Sequence, residues 1–340
     1  DAWQWVFVLS AVPAFVLALL IWYALRDPQA PSPVPFDVVG AALIGVTFLA
    51  LQYVVNEGER RNWSDDPWIT LASAIVPVSG LALVVWKFVY SPHPFLDLRV
   101  LRHRNLVIGA VFGFGFGILL QAAAQIGGFV EESLAFTPTL GGGLDALRAV
   151  AIVLVVPLVT FAIAERFLDV RAALAIGLLA TFIGFRCEVV ATTTDSDFGS
   201  FIIPFAGIGI GIAILYRALA SVIFGSLPSE DLVMGLLVYK MSGLLGGALA
   251  APTLVTLLDH LTAARQSDLA GGVALAQPAV RAFIDHAQGT ASALAAMVRE
   301  QASTLAYSDM WSLASIVAIV LIPIIWFLDV RPAPPEPRDG

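Results

Sequence analysis

The sequence predicts an all-α fold, a polytopic bundle of membrane-spanning helices. Three observations predict it. The mean hydropathy is +0.86, with 59% hydrophobic and only 13% charged residues, more apolar surface than a soluble chain of this size needs. The apolar residues gather into about nine stretches, most of them long enough to cross a hydrocarbon core of about 30 Å. Backbone in that core must satisfy its own hydrogen bonds, and stretches of this length can do so only as helices.

The expected spans are 3–25, 36–56, 67–88, 105–127, 141–164, 172–193, 199–224, 232–257 and 308–328. The first does not read as a good signal peptide, since it has no basic n-region and no small-residue cleavage site; the chain starts directly inside it at Asp1-Ala2-Trp3. Short polar connections with Pro, Gly, Asp or Asn bound most spans, as in Asp27-Pro28-Gln29-Ala30-Pro31 and Asn62-Trp63-Ser64-Asp65-Asp66-Pro67. Prolines inside spans (Pro13, Pro77, Pro157, Pro204, Pro252, Pro323) are expected to bend membrane helices without breaking them. One connection, 259–307, is long, and its helical runs predict one or two helices outside the hydrocarbon, lying along the surface. The tail 331–340 is Pro-rich and expected to be disordered.

Charge predicts sidedness. With residue 1 outside, the inner connections carry nine basic residues (Arg26, Lys87, Arg99, Arg102, Arg104, Arg166, Arg171, Arg331, Arg338) and the outer ones five (Arg60, Arg61, Arg265, Arg281, Arg299). The expectation is an N-terminus outside and a C-terminus in the cytoplasm. Aromatic residues near span ends, among them Trp3, Trp22, Trp63, Trp68, Trp86, Trp311 and Trp326, read as an interfacial belt. Gly109, Gly113 and Gly117 share one face, and Gly207, Gly209, Gly211, Gly243, Gly246 and Gly247 mark two later spans. Such faces serve either tight packing or a surface that moves.

Ionisable residues inside spans are the best functional clues, because each is costly unless paired or wet. Asp145 and Arg148, three apart, form either a structural pair or part of a gate or solute site. Asp145 reads as the lone deeply buried carboxylate of the spans. Arg217 and Lys240 are further cavity candidates; Tyr216 and Tyr239 add hydroxyls on the same helices, and Gln121 with Gln125 could line a polar path. Arg186 and Glu188 are structural ion-pair candidates; two apart on a helix, they do not face each other, so each pairs across helices or reaches the interface.

Several classes are excluded. The net charge of -8 argues against a nucleic-acid partner. With Cys187 the only cysteine there is no disulfide within the chain, and the four histidines form no metal-spaced set. There is no GxSxG elbow, P-loop or HExxH, so neither an enzyme nor a cofactor or metal site is expected.

Several short motifs, in order, resemble one family. They are Trp3-Gln4-Trp5-Val6-Phe7 with Pro13, Phe36-Asp37-Val38-Val39-Gly40, and Asn56-Glu57-Gly58 with Trp63. Pro94-Phe95-Leu96-Asp97-Leu98-Arg99-Val100-Leu101 with Arg104-Asn105, then Gly225-Ser226-Leu227-Pro228, continue the series. Together they resemble helices six to fourteen of the 14-helix drug:proton antiporters of the major facilitator superfamily. The resemblance implies a major facilitator-like bundle that is N-terminally incomplete, with the family's first five helices missing. It divides the chain into 1–35, the last helix of the N-terminal bundle with a linker; 36–104, an extra central helix pair with a linker; and 105–330, the C-terminal bundle with the outer loop 259–307. Glu131-Glu132-Ser133, Asp145, Arg148 and Glu165-Arg166 depart from the family pattern.

The implied function is efflux of amphipathic organic solutes or drugs across the cytoplasmic (inner) membrane, in exchange for protons. The expected partners are the solute, protons, the bilayer, an N-terminal helical segment or subunit, and a periplasmic adaptor. Cationic side chains near mid-membrane suit an anionic or weakly acidic amphiphile. The alternative is an accessory membrane subunit, or half of a split transporter, with no transport of its own.

Overall fold

The computed structural model describes residues 4–24, 36–90, 97–165, 167–272 and 291–329. Nine long helices occur among them: α1 Gln4–Ala24, α2 Val38–Glu57, α3 Pro67–Val85, α4 Arg104–Gly128, α5 Pro138–Ala164, α6 Val170–Ala191, α7 Ile202–Ser226, α8 Ser229–Gly272 and α9 Ala291–Leu321. From α2 onward, eight helical segments are long and apolar enough to cross a membrane. The chain is thus an all-α, polytopic helical bundle. The side chain of Trp3, the basic residues Arg26, Arg166, Arg281, Arg331 and Arg338, the motif residues Pro94-Phe95-Leu96 and the tail lie outside the described residues.

Polar residues start the helices where the boundary signals predict. Asp37 accepts from the Gly40 N–H at 2.8 Å, Asp66 from Trp68 at 2.7 Å ahead of Pro67, and Asp169 from Arg171 at 2.8 Å. Each side-chain oxygen satisfies an N–H that the first helical turn leaves unpaired. Successive helices run between two ends of the bundle. One end joins the start of α4 to α8 and the C-terminal segment: His103 and Arg102 meet Asp231 at 2.8 and 3.0 Å, and Asn105 donates to the Asp329 carbonyl at 2.6 Å. The other end holds the 57–67, 129–138 and 192–201 connections, with Gln301 donating to Thr194 at 3.1 Å.

Helices α4 to α9 form the main body. Towards the end that holds the 129–138 and 192–201 connections lies an aromatic cluster in which Phe129 meets Trp311 edge-on at 5.4 Å, Tyr307 at 5.1 Å and Phe201 at 6.2 Å. Trp311 is fully buried, so it is a core residue and not part of an interfacial belt; Trp22, Trp68 and Trp326 remain exposed. Burying a side chain this large makes the cluster a main contributor to packing.

The glycine faces pack backbone against backbone. A methyl at Gly117 would lie against the Gly243 carbonyl and 2.7 Å from Gly247 N, so α4 and α8 touch without side chains between them. One at Gly184 would lie 2.7 Å from Ile208 N, the same arrangement between α6 and α7. Small residues permit this approach, and dispersion across the seam rewards it.

Helices α2 and α3 form a hairpin beside the main body. Thr47 and Ser79 hydroxyls bond across it at 2.8 Å, and Trp86 donates to Asp37 at 2.9 Å. Its turn is closed by Arg61, which meets Asp66 at 3.0 Å and Glu57 at 3.2 Å. The described side chains of α1 are all exposed.

The long connection differs from expectation. Helix α8 runs on for 44 residues to Gly272, about 66 Å at 1.5 Å per residue, and α9 begins at Ala291. Over the described residues the helical runs extend two membrane helices, and the rest of that expectation falls on 273–290, outside the described residues. Arg265 on α8 ties the extensions together by meeting Asp309 of α9 at 2.7 Å.

Candidate functional site

Lys240 stands 11 residues into α8 from Ser229, about 16 Å along the axis and so near the middle of a hydrocarbon core. Its Nζ donates to the Tyr216 hydroxyl at 3.3 Å. It also lies 4.8 Å from the Tyr216 ring centroid and 5.7 Å from that of Tyr239, close enough for both π faces to stabilise the cation. No carboxylate among the described residues pairs with it. The ammonium opens on a cavity of about 230 Å³ bounded by Tyr216, Tyr239, Phe116, Leu120, Leu244 and the backbone at Gly113, Gly117 and Gly243. The close α4–α8 seam thus floors the cavity, and aromatic and aliphatic side chains wall it. Such a cavity offers one positive charge, two tyrosine side chains and an apolar surround.

The other candidates fall elsewhere. Arg148 is a three-helix tether. It donates to Asp145 at 2.7 Å within α5 and to the Ala123 carbonyl of α4 at 3.0 Å, and lies 5.7 Å from the Phe205 ring centroid of α7. Asp145 is itself exposed and paired, so it is not a lone buried carboxylate. Arg217 follows Tyr216 by one residue but points away from it, because neighbours on a helix are about 100° apart. Its Nε donates to Thr160 of α5 at 2.8 Å, and its other arm to Ser221. Gln121 and Gln125 are half-buried on α4, one and two turns beyond Gly117.

Arg186 and Glu188 form no ion pair. Arg186 reaches Ser312 of α9 at 3.3 Å. Glu188 is fully buried, and neither carboxyl oxygen has a hydrogen-bond partner. Glu188, not Asp145, is the deeply buried carboxylate. Sequence spacing missed this because burial depends on which side of α6 faces α7 and α9.

No protein-family profile matches the chain. It is 20% identical over 340 residues to the probable multidrug resistance protein EmrY of Escherichia coli, covering 96% of this chain and 65% of that protein. It is 22% identical over 265 residues to the colistin resistance protein EmrB of Acinetobacter baumannii, covering 77% of this chain and 51% of that one. It is 23% identical over 340 residues to the fatty acid resistance protein FarB of Neisseria gonorrhoeae, covering 95% and 65%. The chain therefore spans about two thirds or less of these relatives' length. Among solved structures, a bacterial homolog of the human lysosomal transporter Spinster, inward-facing and occupied, matches with a TM-score of 0.46 and 12% identity over 85% of this chain and 67% of that one. The sequence likenesses relate the chain distantly to bacterial drug-efflux transporters, not to enzymes.

Proposed function

We propose that this chain forms the solute-binding part of a proton-coupled exporter of anionic amphiphiles. The single observation that carries the reading is Lys240, a cation about 16 Å along α8 that opens on an apolar, aromatic-walled cavity without a carboxylate partner among the described residues. Lys240 is exposed on the bundle; an ammonium at membrane depth is costly, and an anionic head docked beside it would offset part of that cost. The Neisseria gonorrhoeae relative is a fatty acid resistance protein, which supports that solute class. Exchange for protons rests on the resemblance to drug:proton antiporters.

In this reading α4 to α9 are the C-terminal bundle, α2 and α3 the extra pair, and α1 the last helix of an N-terminal bundle. The cluster Arg99, Arg102 and Arg104 faces the cytoplasm of an inner membrane, with the N-terminus outside and the C-terminus inside. The α8 and α9 extensions then project outside, where a periplasmic adaptor could dock.

The test uses the whole transporter in everted vesicles under an imposed pH gradient, with laurate as anionic probe and ethidium as cationic probe. The expected result is proton release on adding laurate, with ethidium a poorer substrate. Proton release with ethidium alone would reverse the assignment of charge, and none with either would sink the exchange reading.

A further inference from the structure

Glu188 is a fully buried carboxyl that the cavity does not use. It sits one turn before the Thr192 end of α6, with no exposed surface, and both carboxyl oxygens lack a partner. Its main-chain carbonyl accepts from the Thr192 hydroxyl at 2.7 Å, so the local polar group that could have served the carboxyl is already engaged. The elements packed against α6 carry other titratable or charged groups: Tyr216 and Arg217 on α7, Arg299, Glu300, Tyr307 and Asp309 on α9, and Asp197 ahead of the 198–201 turn. None of them hydrogen-bonds the Glu188 carboxyl. Arg186 and Cys187 precede it on α6 itself. Asp309 is held by Arg265, Arg186 by Ser312, and Arg217 by Thr160 and Ser221.

A carboxylate enclosed without a cation or a protein donor is among the costliest groups to bury, whereas the neutral acid is far cheaper. Gly184 brings α6 close to α7, meeting the Gly207 and Ile208 backbone and the Ile208 side chain, so Glu188 lies one turn from a closely packed seam. The neighbouring α9 holds a second orphan, the fully buried Trp311 Nε1–H, also without an acceptor. The ties Thr194–Gln301 at 3.1 Å and Arg186–Ser312 at 3.3 Å bracket Glu188 and Trp311 in depth. Glu188 and Trp311 thus place unsatisfied polar groups on two adjacent helices, each of which calls for a physical reason.

We propose that Glu188 is a proton-binding site of the transporter, charged with its proton while α6, α7 and α9 are closed around it and discharged when their seam opens to water. On discharge the carboxyl O–H bond breaks, the proton passes to water, and the electron pair stays on the carboxylate. The proposal rests on the exchange reading above and assigns the coupling step to a residue outside the solute cavity.

The test is made on the whole transporter, wild type and Glu188→Gln, with laurate as probe. Infrared difference spectra with isotope-labelled glutamate should show a protonated carboxyl band that laurate or alkaline pH diminishes and that Glu188→Gln lacks. In everted vesicles Glu188→Gln should lower laurate-driven proton release by about tenfold or more, while laurate counterflow, which needs no net proton, stays within about twofold. Glu188→Asp, which keeps the carboxyl, should restore part of the release. Full proton release by Glu188→Gln would make Glu188 a structural acid only and overturn the proposal. So would the absence of the band, or a band indifferent to both laurate and pH, and this arm decides on wild type alone if Glu188→Gln fails to insert. A wild-type protein that releases no protons with any probe overturns the exchange reading and the proposal together, and is told apart by the wild-type result.

Discussion

The Lys240 ammonium and the Tyr216 hydroxyl are 3.3 Å apart across the α7–α8 interface, with the same ammonium 4.8 Å from the Tyr216 ring centroid. The tyrosine therefore holds the cation in two ways, through its oxygen and through its π face. Both can be exchanged for a stronger interaction when an anion enters, because neither carries a formal negative charge.

Replacing Lys240 by Gln should raise the laurate KM in vesicles by about tenfold to a hundredfold, the range expected for a charged hydrogen bond of about 1.5–3 kcal/mol. Ethidium transport should not suffer in the same measure. An unchanged laurate KM would remove Lys240 from the solute site.

Tyr216→Phe deletes the hydroxyl and keeps the ring. The laurate KM should rise by only about twofold to fivefold, near the net value of one hydrogen bond. Tyr216→Ala removes both contacts and should weaken binding further. Equal effects from the two would place the whole contribution in the hydroxyl.

Arg148 and Asp145 should differ in their effect on stability. Arg148→Met leaves the Asp145 carboxylate and the Ala123 carbonyl without their donor and should cost about 1–3 kcal/mol. Asp145→Asn removes one oxygen from a side chain 55% exposed and should stay within about 1 kcal/mol. Thermal melts in detergent distinguish the two.

Gly117→Ala sets a methyl against the Gly243 carbonyl, a backbone atom that cannot swing away. It should destabilise the bundle by about 1–3 kcal/mol, read as a lower melting temperature and lost laurate transport. Gly142→Ala, with nothing within 4 Å, should be neutral. Equal tolerance at both sites would mean that the α4–α8 seam is looser than described.

The α2–α3 turn should depend on pH. The Arg61 guanidinium, and then the Trp68 N–H, hold the Asp66 carboxyl below the usual carboxylate range. A depressed folded value contributes stability above the unfolded value, about 3.9, and that contribution disappears as pH falls through the folded value. Proteolysis at Arg60 and Arg61 should stay slow at neutral and mildly acidic pH and speed up only below about pH 4. Asp66→Asn should be nicked faster at neutral pH and lose this dependence.

The spans were legible because lipid imposes a simple rule, in which about twenty apolar residues must close their own hydrogen bonds. The start of α3 was legible too, since Asp66 ahead of Pro67 is a boundary signal of local chemistry, whereas the cap Asp169 was shown only by the structure. The site was legible only in parts. Lys240, Tyr216 and Tyr239 could be singled out by type and depth, but Arg217, next to Tyr216, belongs to a different contact set. Arg148 and Asp145 were readable as a pair from their spacing, whereas the Ala123 carbonyl that completes the tether was not.

By itself the sequence determined the all-α membrane class and the order of the helices, because hydropathy acts over a few consecutive residues. Only the tertiary structure decided that Trp311 is core, that Lys240 opens on a cavity and that Glu188 is enclosed without a partner. Those facts depend on the rotation of each helix about its axis, which is set by close approaches such as Gly117 on Gly243 and Gly184 on Ile208, between residues far apart in the chain.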